Sequence, residues 1–161
     1  MKSVEIAIKM EKDAVAFYEK CAEATNSQIG KKMFLSIADD EKYHIVCATN
    51  VLKGMGFKPS KTTPKQDMKT IYEQNKDLVI QKVDATTDDV EALKIAMKME
   101  KAGAEFYLKA AAEAATPAEK ALFECLAKDE GEHFTIFQNT CSLLSDSSNW
   151  FMWEEHVIYE G

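Results

Sequence analysis

Shifting the chain by 89 positions lays residues 6–44 onto residues 95–133 without a gap, and 16 of the 39 aligned pairs are identical. The identities are concentrated. Ala-x-Lys-Met-Glu-Lys recurs at Ala7–Lys12 and Ala96–Lys101, Phe17-Tyr18 recurs as Phe106-Tyr107, and Asp40-Glu41-x-x-His44 recurs as Asp129-Glu130-x-x-His133. An internal repeat of this length restricts the chain to two similar supersecondary units, each needing the other to bury its apolar side.

Both units read as helical hairpins. Val4, Ile6, Ala7, Met10, Ala14, Phe17, Tyr18 and Cys21 recur at helical spacing after Ser3, which suits an N-cap. Asn26-Ser27 punctuates that run. A second helix continues through Ile29, Met33, Phe34, Ile37, Ala38, Ile45 and Leu52 until Gly54 and Gly56 stop it. In the second unit, Asp88 with Glu91 forms a candidate capping box for a helix from about Val90 to Ala115. Thr116-Pro117-Ala118-Glu119 then starts a fourth helix that runs to about Leu144. The expected organisation is one domain: hairpin one over 3–54, a linker over 55–87, hairpin two over 88–145, and an aromatic tail over 146–161. Met68, Ile71, Tyr72, Leu78, Val79 and Val83 could place a short helix in the linker. Helices of roughly 25 residues are about 38 Å long, so this linker can return along the bundle or pass a hairpin to a neighbouring subunit.

The repeat also fixes a pattern of ionisable groups. Glu11 precedes Glu41-x-x-His44 by thirty positions, and Glu100 precedes Glu130-x-x-His133 by the same distance. Residues three apart share a helix face, so each Glu-x-x-His aims a carboxylate and an imidazole at one point. Two of the three histidines fall at matched positions of the repeat. The third, His156, lies in the tail Trp150–His156 without a glutamate three residues before it, and the tail reads as a cover for a bundle end or a neighbouring subunit.

Glu11, Glu41, His44, Glu100, Glu130 and His133 are therefore candidate ligands of a dinuclear centre. Four carboxylates balance two divalent cations, and oxygen with imidazole donors suits iron or manganese, with zinc open on ligand type alone. Asp40 and Asp129 are candidates to accept the second ring N–H of a ligating histidine on the facing helix. Tyr18 and Tyr107, seven residues beyond Glu11 and Glu100, either pack in the core or hydrogen-bond a ligand carboxylate.

The formal charge of −7 disfavours nucleic acid and anionic membranes as partners. The glutamate at position 5 interrupts any signal-peptide core, so a cytoplasmic protein is expected. Cys21, Cys47, Cys125 and Cys141 stand singly, and with no Cys-x-x-Cys a rubredoxin-type or zinc-ribbon module is excluded from these residues.

The pattern Ala7-x-x-x-Glu11-x-x-Ala14-x-x-Phe17-Tyr18 with Asp40-Glu41-x-x-His44, and its second copy from Ala96 to His133, resembles the ferritin-like di-iron carboxylate superfamily, most closely its rubrerythrin branch. The resemblance covers the four helices but neither linker nor tail. It implies an all-α ferritin-like four-helix bundle with one long crossover and a cofactor of two iron ions. It also implies that Glu41 and Glu130 bridge, Glu11 and Glu100 are terminal, and His44 and His133 each bind one ion. The implied activity is reduction of hydrogen peroxide or dioxygen, with electrons from a separate rubredoxin-like protein and a homodimer, with or without exchanged hairpins, as the assembly. Many rubrerythrins carry a further carboxylate where this chain has Gly103. The six-ligand set that remains is similar to bacterioferritin-type ferroxidase centres, which keeps iron oxidation and storage as an alternative. A non-catalytic helical module stabilised by metal is a third reading.

Overall fold

The computed structural model of the chain describes residues 2–79 and 83–147, with side chains described through Leu144 at the C-terminal end. Six helices follow one another: α1 (Lys2–Ala24), α2 (Gln28–Leu52), α3 (Pro64–Gln74), α4 (Lys76–Val79), α5 (Thr87–Ala112) and α6 (Pro117–Ser147), with no strand among the described residues. α1 pairs with α2 and α5 with α6 along their lengths. The duplicated hairpins thus close into an all-α four-helix bundle.

Local chemistry sets most of the boundaries. Ser27 caps α2, accepting from the Gly30 amide at 2.9 Å. At its other end Gly54 takes φ +78°, and the amides of Met55 and Gly54 reach back to the carbonyls of Asn50 and Val51. This is a Schellman closure, which a side chain at position 54 would strain. Thr116 receives the Glu119 amide at 3.2 Å while Glu119 accepts from Ala115, so α6 starts where its sequence signal lies.

Three expected boundaries differ. Ser3 does not cap α1, because the helix already includes Lys2. Asp88 and Glu91 do not form the box that starts α5. Thr86 and Asp89 do, each side chain bonded to the other's backbone amide at 3.0 Å. A hydroxyl with a carboxylate three residues on outcompetes Asp88, which stays exposed, while Glu91 turns to Lys94 instead. α5 also stops at Ala112 rather than Ala115, its last turn closed by Glu113 bonding to Lys109 and Ala114 to Ala111. The expected aromatic tail begins inside α6 at 146–147, and its remainder, with Trp150, Trp153 and His156, lies outside the described residues.

The linker is mostly structured. Thr63 and Gln66 form a reciprocal capping box around Pro64, and α3 then lies along the seam between α2 and α6. Met68 and Tyr72 are buried there with Ile37 and Phe137, and the Lys65 amide donates to Glu132 of α6 at 3.2 Å. The chain therefore leaves the α2 C-terminus and runs back down the bundle to the start of α5, the single crossover of this architecture.

The core divides in two. One cluster gathers Tyr18, Phe34, Ile37, Leu93 and Phe137, and the other gathers Val4, Val51, Tyr107, Phe123 and Leu126. Tyr18 stacks on Phe34 at 6.5 Å between centroids, and its repeat partner Tyr107 stacks on Phe123 at 6.0 Å. Large side chains of this kind stabilise by roughly 1.5–3 kcal/mol each when fully buried. Between the two clusters runs a band of buried polar groups.

Candidate metal centre

The polar band holds the six residues singled out by the repeat. Glu11, Glu41, His44, Glu100, Glu130 and His133 are all buried, and all point into the space between the two hairpins. Glu41 and Glu130 sit on α2 and α6 one helical turn before the histidines, while Glu11 and Glu100 reach in from α1 and α5.

Their donor atoms form two overlapping sets. Glu11, Glu41, His44 and Glu130 make one, and Glu100, Glu41, His133 and Glu130 make the other, each with one donor atom per residue within 4.8 Å of the rest. His44 Nδ1 lies 3.5 Å from Glu11, 3.5 Å from Glu41 and 3.4 Å from Glu130. His133 Nδ1 lies 3.1 Å from Glu41, 3.5 Å from Glu100 and 3.8 Å from Glu130. Donors about 2.1 Å from a common ion stand roughly 3.0–3.4 Å apart at right or tetrahedral angles. The spacing fits two ions that share Glu41 and Glu130.

The hydrogen-bond inventory gives an independent test of fit. Seven buried side-chain atoms among the described residues have no hydrogen-bond partner, and all seven belong to these six residues: Glu11 Oε2, both oxygens of Glu41, His44 Nδ1, Glu100 Oε2, Glu130 Oε1 and His133 Nδ1. Buried polar atoms are almost always satisfied because leaving one bare costs about 1–3 kcal/mol. A cluster of such atoms aimed at one void is what cations would satisfy.

The surrounding groups hold these donors in place. His44 Nε2 is 2.9 Å from Asp129, and His133 Nε2 is 2.8 Å from Asp40, each bond crossing from one hairpin to the other. Anchoring Nε2–H directs Nδ1 into the site, where the neutral imidazole would offer a cation its lone pair. The Tyr107 hydroxyl donates to Glu11 at 2.6 Å, and the Tyr18 hydroxyl donates to Glu100. Burial, followed by the charges of Glu100 and Glu41, pushes the Tyr18 phenol well above its usual range. Burial and Glu11 do the same to Tyr107. Both phenols therefore stay protonated donors.

In the metal-free chain, protons distribute the charge. Burial pushes the Glu41 and Glu130 carboxyls well above the usual range, with neighbouring carboxylates adding to the effect. Burial acts the same way on Glu11, but the adjacent Glu41 carboxyl, the His44 imidazole and the bond from Tyr107 overcome it and hold that carboxylate down at about 2. Glu100 is also lowered, chiefly by His133 and a bond from Glu130 against the cost of burial. Burial disfavours charge on both imidazoles, yet Glu11 and Glu100 prevail and raise His44 and His133 well above their ordinary value. Without metal, His44, His133, Glu41 and Glu130 are thus biased toward their protonated forms, and Glu11 and Glu100 toward the carboxylate.

Two features of the site were not evident from spacing alone. Asp67 of α3 approaches Asp40 and Asp129. Burial raises its carboxyl first, Thr62 opposes that, and those two charges add to it. On the opposite side, between α1 and α5, a cavity of about 200 Å³ reaches the carboxylates and is lined by Met10, Ala14, Met99 and Gly103. Gly103 permits the close approach, since a Cβ there would stand 3.2 Å from Glu130 Oε2. The available signal was the pair of small residues three positions after Glu11 and Glu100.

No helix among the described residues is long and apolar enough to cross a membrane. Neither a curated protein nor a solved structure matches the chain significantly. The model of the family described as rubrerythrin matches residues 2–141, which cover α1, α2 and α5, most of α6 and every one of the converging groups. By fold, by the buried cluster and by that match, the chain belongs to the rubrerythrin family.

Proposed function

We propose that the protein is a non-haem di-iron oxidoreductase that reduces hydrogen peroxide, or dioxygen, at the centre formed by Glu11, Glu41, His44, Glu100, Glu130 and His133. The observation that carries this reading is the set of seven partnerless buried atoms, all directed into one space beside a small cavity. Two ferrous ions held there supply two electrons, one each, for cleavage of an O–O bond.

The chain's own residues set the conditions. Glu41 and Glu130 are shared between the two donor sets, and Glu11 and Glu100 each serve one set, with Tyr107 and Tyr18 fixing their orientation. Asp129 and Asp40 hold the imidazoles in the tautomer that presents Nδ1. The two apolar clusters keep bulk water from both ends, and the cavity between α1 and α5 admits a small oxidant. Electrons for turnover come from a separate rubredoxin-like donor, in a cytoplasmic setting and with the chain as a homodimer.

The test is stopped-flow oxidation of the reduced, iron-loaded protein. Reoxidation by peroxide at least tenfold faster than by dioxygen supports the reading, and equal rates refute its peroxidase form. Gly103 favours one alternative, ferroxidation with iron hand-over or storage, because it leaves a symmetric six-donor set with no seventh carboxylate. That alternative requires a large closed shell on a sizing column and iron retained well beyond two ions per chain.

A further inference from the structure

The bonds His44–Asp129 and His133–Asp40 fix the antiparallel register of α2 against α6, with facing positions summing to 173. One turn beyond His44 on α2 stands Cys47, and one turn before Asp129 on α6 stands Cys125, whose positions sum to 172. Residues three or four apart share a helix edge. Cys47 lies seven residues after Asp40, on the edge that reaches α6, and Cys125 shares the edge of Asp129 that reaches α2. The two thiols therefore line one seam, a single turn from the imidazole of His44. Both are free.

Their surroundings set them apart from the other cysteines. Cys47 is buried and donates to the Lys58 carbonyl at 3.8 Å, beneath the loop that also receives the Tyr43 hydroxyl. Cys125 is half-buried. Burial pushes both thiols up, with lesser effects from Asp129 and His44, and Cys47 itself adds to the rise at Cys125. Protonated thiols react slowly with free peroxide.

We propose that Cys47 and Cys125 form a redox-active dithiol beside the centre, a built-in two-electron store for peroxide reduction that closes into a disulfide. Two thiols lose two electrons and two protons as the S–S bond forms. Hydrogen peroxide takes up both, its O–O bond breaks, and two waters leave. A disulfide needs Cα atoms within roughly 7 Å, so the oxidised form draws these turns of α2 and α6 together.

This inference rests on the peroxide reading above, and the experiment separates the two. The full chain, loaded with two ferrous ions and free of external reductant, is titrated with hydrogen peroxide, alkylated and mapped by mass spectrometry. The expected result is consumption of two equivalents per chain, with a Cys47–Cys125 disulfide and with Cys21 and Cys141 still alkylated. Cys47→Ser and Cys125→Ser should each consume one equivalent. A zinc-loaded chain should form the disulfide at least tenfold more slowly. Consumption of one equivalent with all thiols intact overturns the dithiol alone. So does equal disulfide formation with zinc, or a bond between two chains. An iron-loaded chain that leaves peroxide untouched overturns the functional reading and the dithiol together.

Discussion

Tyr107 of hairpin two donates its hydroxyl to Glu11 of hairpin one at 2.6 Å, and Tyr18 of hairpin one returns the same bond to Glu100 of hairpin two. Each half of the repeat thus fixes the carboxylate of the other. The exchange makes the site a property of the closed bundle, since neither hairpin alone has its orienting phenol in reach.

Tyr107→Phe should remove a bond to a buried charged group without leaving a cavity. A loss of about 1.5–3 kcal/mol is expected, or roughly 3–12 °C in the melting temperature of a domain this size. Thermal melts of Tyr107→Phe, Tyr18→Phe and the double variant check it. Unchanged melting temperatures would show that the phenols contribute packing alone.

Asp129→Asn should disturb one half of the centre more than the other. The amide no longer offers a charged acceptor to His44 Nε2–H, so metal affinity should fall about 10–100-fold with little loss of helicity. Asp40→Asn should do the same through His133. Chelator competition that finds both variants as tight as the parent would count against this orienting role.

Loading with two divalent ions near pH 7 should release between two and four protons per chain. Two come from His44 and His133, both raised well above their ordinary value by Glu11 and Glu100 against the cost of burial. Up to two more come from Glu41 and Glu130, raised first by burial. Calorimetry in buffers of different ionisation enthalpy measures the number, and a value near zero would contradict the proton arrangement described here.

The metal-free chain should lose stability as pH rises. For His44 and His133 the folded value is above the unfolded 6.5, so their contribution is complete below pH 6.5 and is lost as pH climbs through the folded value. Glu41 and Glu130 act in the same direction from pH 4.5 upward. Glu11 and Glu100 are lowered, so their contribution is lost only on acidification. Denaturant midpoints of chelated protein should fall between pH 6 and pH 8.5, and the stabilisation by added metal should grow over that range. A midpoint that rises with pH would reverse the sign.

Gly103→Ala should separate folding from metal binding. Alanine favours the helix by about 1 kcal/mol, whereas its Cβ would press on Glu130 Oε2 from 3.2 Å. The metal-free chain should melt at the same or a higher temperature, and the further rise on adding metal should shrink. An undiminished rise would show that Glu130 moves aside freely.

The four bundle helices and the converging groups were legible because a duplication writes each constraint twice. Glu-x-x-His at matched places in two amphipathic segments reports its own helix face, since three-residue spacing is local geometry. Helix starts were legible where hydroxyl, proline and carboxylate agree, as at Thr116. They were misread at Thr86, where two overlapping choices, Asp88 with Glu91 and Thr86 with Asp89, compete within six residues.

What the sequence by itself determined is which side chains share a face, because helix periodicity needs no partner. What only the tertiary structure decided is who meets whom across the seam: Tyr107 with Glu11, His44 with Asp129, α3 over the α2–α6 edge, and a cavity beside Gly103. Those pairings depend on the register and spacing of separate helices, which arise from packing the whole core at once and leave no periodic mark along the chain.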